Sequence, residues 1–343
     1  MIGRFVLRRL GIAVLQLLGV ALAVFFLIRL LPADPVARLV GLNASEEAYA
    51  QAERTLGLDR PVVDQLLSFL GLSSGKGADG LADGSLGLSW VTGDPVFLEI
   101  GRFLPVTLEL VTLALLISFL IAIPLGMASA TKPGGIADRV AFVWGLFAGA
   151  QPDYWWGLLF VFLFFFILGI APPPLGRIDP LLIEPSVITG FLTIDSLLQG
   201  RLDTFVSALH HLMLPILTQV FVVSGAITKM VRQNMIRALK SDYILYARCC
   251  GLSKRQVGRY ALRAALTPAV TLVGIFYGVL LSAAVTVELV FSLGGIGEYA
   301  IRSILSFDYP AIQGVVLIVA LVSLLIYLLL DIIHAYLDPR VKY

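Results

Sequence analysis

Ser241-Asp-Tyr-Ile-Leu-Tyr-Ala-Arg-Cys-Cys-Gly-Leu-Ser253 stands at the centre of a basic, polar island that runs from Lys229 to Thr267 between two long hydrophobic stretches. A chain that only has to turn between two membrane spans needs a few residues there. Nearly forty residues with the pattern helix, glycine, second helix present a docking surface instead, and the visitor they suit is a cytoplasmic partner. The side of the membrane on which this island lies fixes the topology of the whole chain.

Composition establishes that a membrane is involved. Of the 343 residues, 58% are hydrophobic and only 14% charged, against roughly 25% charged in an ordinary soluble domain. A net charge of +2 gives no reason to expect a nucleic-acid partner. His210, His211 and His334 have no companions at metal-ligand spacing, and the adjacent Cys249 and Cys250 are not spaced as zinc ligands, so no metal is expected. Gly71-Leu-Ser-Ser-Gly-Lys-Gly77 has one residue too few between its glycines for a phosphate-cradling loop and lacks the following Ser or Thr. With no nucleotide motif, no catalytic triad and no cofactor motif, the chain reads as a non-enzyme.

Leu10 to Ile28 carry no charge, and at ~1.5 Å per residue they cross a hydrocarbon core of roughly 30 Å. Arg4, Arg8 and Arg9 precede them, which also suits a signal peptide; no small-residue cleavage site follows, so an uncleaved first helix with a cytoplasmic N-terminus is expected. Later apolar runs cover about 105–130, 140–171, 212–228, 268–287 and 314–330. Pro105 and Pro268 are read as first-turn prolines. The 140–171 run is too long for one straight span and is interrupted by Gln151-Pro152-Asp153. A single bent crossing there gives six spans and puts both termini and the island on one side. That side then holds 16 of 25 basic residues (Arg4, Arg8, Arg9, Lys132, Arg139, nine between 229 and 263, Arg340, Lys342) but only 4 of 23 acidic ones. Short cytoplasmic loops are enriched in Lys and Arg, so six spans are expected, with both termini cytoplasmic.

About seventy residues separate the first two spans on the outside. Asn43 or Ser45 can cap a helix led by Glu46-Glu47, a second amphipathic run extends from Asp59-Arg60-Pro61 to Leu70, and Ser73 to Ser85, including Gly80, reads as a mobile glycine-rich loop.

Within the island, Asp242-Tyr243-Ile244, Ala247-Arg248, Gly251-Leu252 and Ala261-Leu262-Arg263 through Pro268 resemble the cytoplasmic coupling segment of ABC importer permeases of the oligopeptide/dipeptide (peptide/nickel) branch, in its B-type subunit. Further matches follow in order along the chain: Leu31-Pro-Ala-Asp-Pro35, Leu56-Gly-Leu-Asp-Arg-Pro61, Gly87-Leu-Ser89, Leu104-Pro-Val-Thr-Leu-Glu-Leu110, Leu214-Pro215, Val287-Glu-Leu-Val-Phe-Ser292, Gly295-Ile-Gly297, Asp308-Tyr-Pro310 and Leu337-Asp-Pro-Arg340. Leu245 and Tyr246 depart from the general coupling motif, which has a glutamate and an alanine there. The resemblance implies an all-α type I permease with one N-terminal helix and a five-helix core, divided into 1–103 and 104–343. It also implies ATPase coupling through Asp242, Tyr243, Ala247, Arg248, Gly251, Leu252 and Ser253. The implied partners are a second homologous permease, two cytoplasmic ATP-binding subunits and an extracytoplasmic substrate-binding protein, in the plasma membrane of a prokaryote and in contact with its lipid. Peptides or similar small solutes would cross by alternating access.

Four acidic residues fall in or near apolar runs, where ionisable groups are costly and often functional: Glu109, Asp153, Glu288 and Asp331. Glu109, Glu288 and Asp331 are read as structurally paired or solvated near an interface. Asp153 follows a helix-breaking proline, and two readings stand: a cap for the half-helix beginning Tyr154-Trp155-Trp156, or a residue of the substrate path.

Overall fold

The computed structural model describes residues 2–30, 34–41, 43–72, 80–266 and 269–337, and no strand occurs among them. In chain order the helices are α1 (Ile2–Leu30), α2 (Pro35–Val40), α3 (Glu46–Leu56), α4 (Val62–Leu70), α5 (Val96–Thr131), α6 (Ile136–Ala148), α7 (Asp153–Phe160), α8 (Leu192–Leu198), α9 (Leu202–Leu239), α10 (Asp242–Cys249), α11 (Lys254–Leu266), α12 (Ala269–Phe291), α13 (Ile296–Leu305) and α14 (Tyr309–Leu337). A π-helical stretch, Val161–Ile167, continues α7. In hydrocarbon every backbone amide must be satisfied within its own segment, so the apolar runs become helices. Five of them, α1, α5, α9, α12 and α14, are each long and apolar enough to cross a bilayer. The pair α6–α7, bent by 105° across residues 149–152, makes a sixth when taken as one span.

Two helices start earlier than the apolar runs suggest. α5 begins at Val96, so Pro105 lies in its interior rather than in its first turn; its ring packs against Gly190, where a Cβ would come within 2.7 Å of Pro105 Cβ. α9 extends from Leu202 to Leu239, beginning ten residues before its expected start and continuing through about the first third of the island. Pro268 and residues 338–340 lie outside the described residues, as do 31–33 and 73–79. Within the loop expected over 73–85, Leu81–Asp83 form a 3-10 turn, and Gly80 is closely packed: a Cβ there would sit 2.2 Å from the Gly71 amide nitrogen. Ser45, rather than Asn43, caps α3 by accepting from Ala48 N at 3.2 Å.

The chain divides into two compact units, one formed by the residues up to 104 with 295–328, the other chiefly by 105–294. In the second, α9 packs against α6, α7, α8, α11 and α12, and its core includes Leu110, Leu212, Ile227, Leu280 and Val287. Lipid tails are as apolar as these side chains, so close packing has to hold the helices together. Small residues permit it. A Cβ on Gly126 would lie 2.8 Å from Val231, and one on Gly225 would lie 3.1 Å from Ala148 Cβ.

Two buried carboxylates organise this unit. Glu109, in the middle of α5, accepts from the amides of Leu192 (3.1 Å) and Thr193 (2.8 Å) and from the Thr193 hydroxyl, so it holds the start of α8. Glu288 of α12 accepts from the Thr107 hydroxyl. Both carboxylates are fully buried and paired, not solvated at an interface. Asp195 of α8 draws the preceding loop inward: burial by itself would raise its carboxyl, but the Thr189 hydroxyl and the amides of Thr189, Ile188 and Gly190 outweigh it and hold the group below the usual carboxylate range.

In the first unit the Asp308 carboxylate accepts from Ser89 Oγ and from the amides of Trp90 (3.1 Å) and Ala311 (3.3 Å). Phe307 just before it adopts φ +56°, a left-handed conformation that costs a side-chain-bearing residue ~1–2 kcal/mol. The neighbouring bond from Asp308 N to Ser303 O (2.9 Å) closes α13 and aims the carboxylate at Ser89. Val24 and Ile28 of α1 pack on Tyr309, and Arg29 lies 3.5 Å above the Phe25 ring while donating to Gln65. Tyr299 donates to Glu99 at 2.6 Å, and burial together with that bond pushes its phenol well above the ordinary range.

Replacing Glu109 by Ala strips a hydroxyl and two buried amides of their acceptor, at ~1–3 kcal/mol for each unsatisfied group. Glu109→Ala is therefore expected to lower the thermal unfolding midpoint of the purified protein by several degrees, with Glu109→Gln, which keeps one acceptor oxygen, falling between Ala and the parent. An unchanged midpoint for Ala would show that α8 does not depend on this carboxylate.

Candidate docking surface and the break at Asp153

The island folds as the last turns of α9 followed by the hairpin α10–α11. Ser241 stands at the N-cap of α10, with Asp242 in its first turn where a negative charge meets the positive end of the helix. Gly251, at φ +77°, ends the helix: its amide donates to Arg248 O (3.0 Å) and the Leu252 amide donates to Ala247 O (3.2 Å). That pair of bonds is the Schellman arrangement, which favours glycine at the left-handed position. Ser253 then begins α11 with a capping box, its amide donating to Gln256 Oε1 (2.9 Å) while its hydroxyl bonds the same oxygen (2.8 Å). The spacing Ser253-x-x-Gln256 was available in the sequence for this.

Packing differs sharply between the two short helices. α11 buries Val257, Ala261 and Ala265, one per turn, and lies along α9. α10 buries Ile244 alone, at 0% exposure, whereas Tyr243, Leu245 and Tyr246 are 49, 60 and 72% exposed. Arg248, Cys249, Cys250, Gly251 and Ser253 are exposed as well, and Ala247 and Leu252 are half-buried, Leu252 against the core. The seven residues predicted for the coupling surface therefore occupy one compact element, held on α9 through α11 and turning aromatic and aliphatic side chains outward. Leu245 and Tyr246, which depart from the family pattern, are the most exposed apolar members of α10.

Asp153 occupies a different position from the expected cap. Pro152, extended at ψ 157°, is the N-cap of α7, and Asp153 is its first helical residue; no other described residue donates to its carboxylate. It is half-buried beside the exposed Tyr154 and Trp155, while Trp156 turns inward onto Phe221, with ring centroids 4.4 Å apart. Asp153 thus stands at the 105° bend, tens of residues in sequence from the α10–α11 element.

Sequence segments that resemble the family meet in space. Gly87-Leu-Ser89 meets Asp308-Tyr-Pro310 through the Ser89–Asp308 bond and at Gly87, where an added Cβ would lie 3.6 Å from Pro310 Cβ. The 104–110 segment meets 287–292 through Thr107 and Glu288.

Long apolar helices, buried carboxylates held by donors and a projecting helical hairpin define a multi-pass helical membrane protein. The chain belongs to the family described as binding-protein-dependent transport system inner membrane component, whose pattern it matches over residues 122–343, with the N-terminal part of such components matched over 1–111. It is 37% identical to the di/tripeptide transport system permease protein DppB of Pseudomonas aeruginosa over 99% of this chain and 98% of that protein. It is likewise 37% identical to the probable D,D-dipeptide transport system permease protein DdpB of Escherichia coli (96% and 94% covered), and 33% identical to the dipeptide transport system permease protein DppB of that organism (99% of each). The chain is a membrane-embedded permease component of an ABC importer and works with other components of that importer.

Proposed function

We propose that the chain forms half of a translocation pathway for short peptides or similar small solutes, which opens alternately to the two sides of a prokaryotic plasma membrane. A second, similar permease completes the pathway, two cytoplasmic ATP-binding subunits dock on the α10–α11 elements, and an extracytoplasmic substrate-binding protein delivers the solute. Relatives named for dipeptide, di/tripeptide and D,D-dipeptide transport support peptides as cargo. The observation that carries the coupling assignment is the packing of α10, anchored by Ile244 alone and displaying Tyr243, Leu245 and Tyr246. Asp242, Tyr243, Ala247, Arg248, Gly251, Leu252 and Ser253 form the contact or hold its shape. Asp153, an uncommitted carboxylate beside exposed aromatic rings at the bend, faces the solute path and meets a cationic group such as a peptide amine.

Orientation is tested with the native thiols, since Cys249 and Cys250 are both exposed. With both termini and the island cytoplasmic, an impermeant maleimide labels them in inverted vesicles and not in intact cells; labelling from outside intact cells overturns the topology.

Coupling is tested at Gly251, where nothing lies within 4 Å of a built Cβ, so a side chain there perturbs the backbone without a clash. Gly57 is a matched control: it ends α3 with the same pair of bonds, to Arg54 O and from Leu58 N to Glu53 O, at φ +68°. Both valine variants bear a similar left-handed penalty of ~1–2 kcal/mol or more. Gly251→Val is expected to reduce solute moved per ATP hydrolysed about tenfold in reconstituted vesicles, and Gly57→Val to leave that ratio unchanged. Parental coupling in Gly251→Val removes the lever assignment.

For Asp153, the Asn variant keeps the shape and loses the charge. Uptake of dipeptides by Asp153→Asn is expected to fall at least fivefold with complex assembly intact, whereas normal uptake eliminates the role in the path.

A further inference from the structure

Helices α6 and α9 enclose a groove of about 700 Å³, lined by Phe142, Leu146 and Val222 and by the charged residues Asp138, Arg139, Lys229 and Arg232. The two helices run antiparallel. Asp138 bonds Arg232, whereas ten residues further along α6 Ala148 faces Gly225. At ~1.5 Å per residue the groove therefore extends about 15 Å from its charged end, half of a hydrocarbon core of roughly 30 Å and thus one leaflet deep. Its walls are apolar and its charge sits at the interfacial end.

The charge there is unbalanced. Arg232 is committed to Asp138 by two hydrogen bonds from its guanidinium, one of them 3.1 Å. Among the described residues neither Arg139 nor Lys229 has a carboxylate partner, which leaves two cations at the mouth of an apolar channel. A ligand that suits both parts combines an anionic head, such as a phosphate, with a long hydrocarbon tail.

We propose that the groove binds one anionic phospholipid, with an acyl chain along Phe142, Leu146 and Val222 and its phosphate received by Arg139 and Lys229. Arginine presents paired donors to phosphate and lysine a point charge. Basic pockets between membrane helices on the cytoplasmic side take such headgroups. A zwitterionic lipid brings its own ammonium group up against the same two cations, so the site discriminates against it. The leaflet is the cytoplasmic one in the orientation proposed above, but the site itself does not depend on that orientation. Because α9 carries the α10–α11 element, the bound lipid also braces the helix through which that element is mounted.

The test uses the complete importer, purified, stripped of lipid and titrated with phosphatidylglycerol or phosphatidylcholine of identical chains, with bound lipid counted by native mass spectrometry. One phosphatidylglycerol per copy of this chain is expected to be retained where phosphatidylcholine is lost. The double variant Arg139→Gln/Lys229→Gln is expected to weaken retention about thirtyfold, near fivefold for each basic charge. Arg139→Lys/Lys229→Arg should retain the lipid, and Lys132→Gln, a basic residue that does not line the groove, should match the parent. A photoreactive residue at position 142 is expected to crosslink to lipid. Equal retention of the two lipids, undiminished retention by the Gln variant, or crosslinking of position 142 to another subunit would each overturn the proposal, the last by showing that protein fills the groove.

Discussion

A carboxylate shut away from water has to find its donors within the protein, and this one constraint explains much of the arrangement of the chain. Glu109 is satisfied by the buried amides at the start of α8, Glu288 by the Thr107 hydroxyl, and Asp308 by Ser89 and two main-chain amides. Each carboxylate needs donors that lie far away in sequence, so each ties a helix to a distant loop or helix start. Apolar packing alone would leave rotation and register loosely fixed in lipid, because one oily face is as good as another. Hydrogen bonds to buried acids are directional and select one arrangement.

The same reasoning separates the rigid from the presented parts of the island. α11 is seated by a small apolar residue on every turn, while α10 hangs from Ile244 and from the two turns that flank it. The turn after it is stiff for local reasons, a glycine in the left-handed conformation followed at once by a serine–glutamine cap, and the turn before it is closed by the Ser241 amide donating to Ala238 O. A helix held so shallowly leaves its outward side chains available for the interface proposed above.

Much of this was legible in the sequence. The apolar runs located the long helices, and the proline and glycine signals located Gly251 and the break at 151–153. Where the reading failed, a stronger local rule was present and misweighted. Pro105 reads as a helix start because interior prolines are disfavoured, yet α5 begins at Val96, directly after Pro95, and the structure absorbs Pro105 by placing Gly190 against it. Of the two readings of Asp153, the N-cap position itself goes to Pro152, and Asp153 is the first helical residue. Gly80 lies in a glycine-rich stretch that suggests an open loop; its closeness to Gly71 is a tertiary fact without local trace. Nothing near Glu109 in the chain announces a partner more than eighty residues away, and only the ordered family-like segments hinted that 104–110 and 287–292 belong together.

The knot at Asp308 has a bearing on how the protein is made. Ser89 must wait for a partner 219 residues further along. At ~5–20 residues per second, that is roughly 10–40 s of synthesis during which the N-terminal helix, its Tyr309 neighbour still unmade, stands in the bilayer without its final contacts. The first segment to enter the membrane is thus among the last to be locked in place. For that interval the N-terminal helix and the amphipathic segment after it do without Asp308 and Tyr309 as partners. Truncation anywhere before the last helix leaves Ser89 and Trp90 without their acceptor, so an incomplete chain is marked as such by its own unfinished N-terminal half.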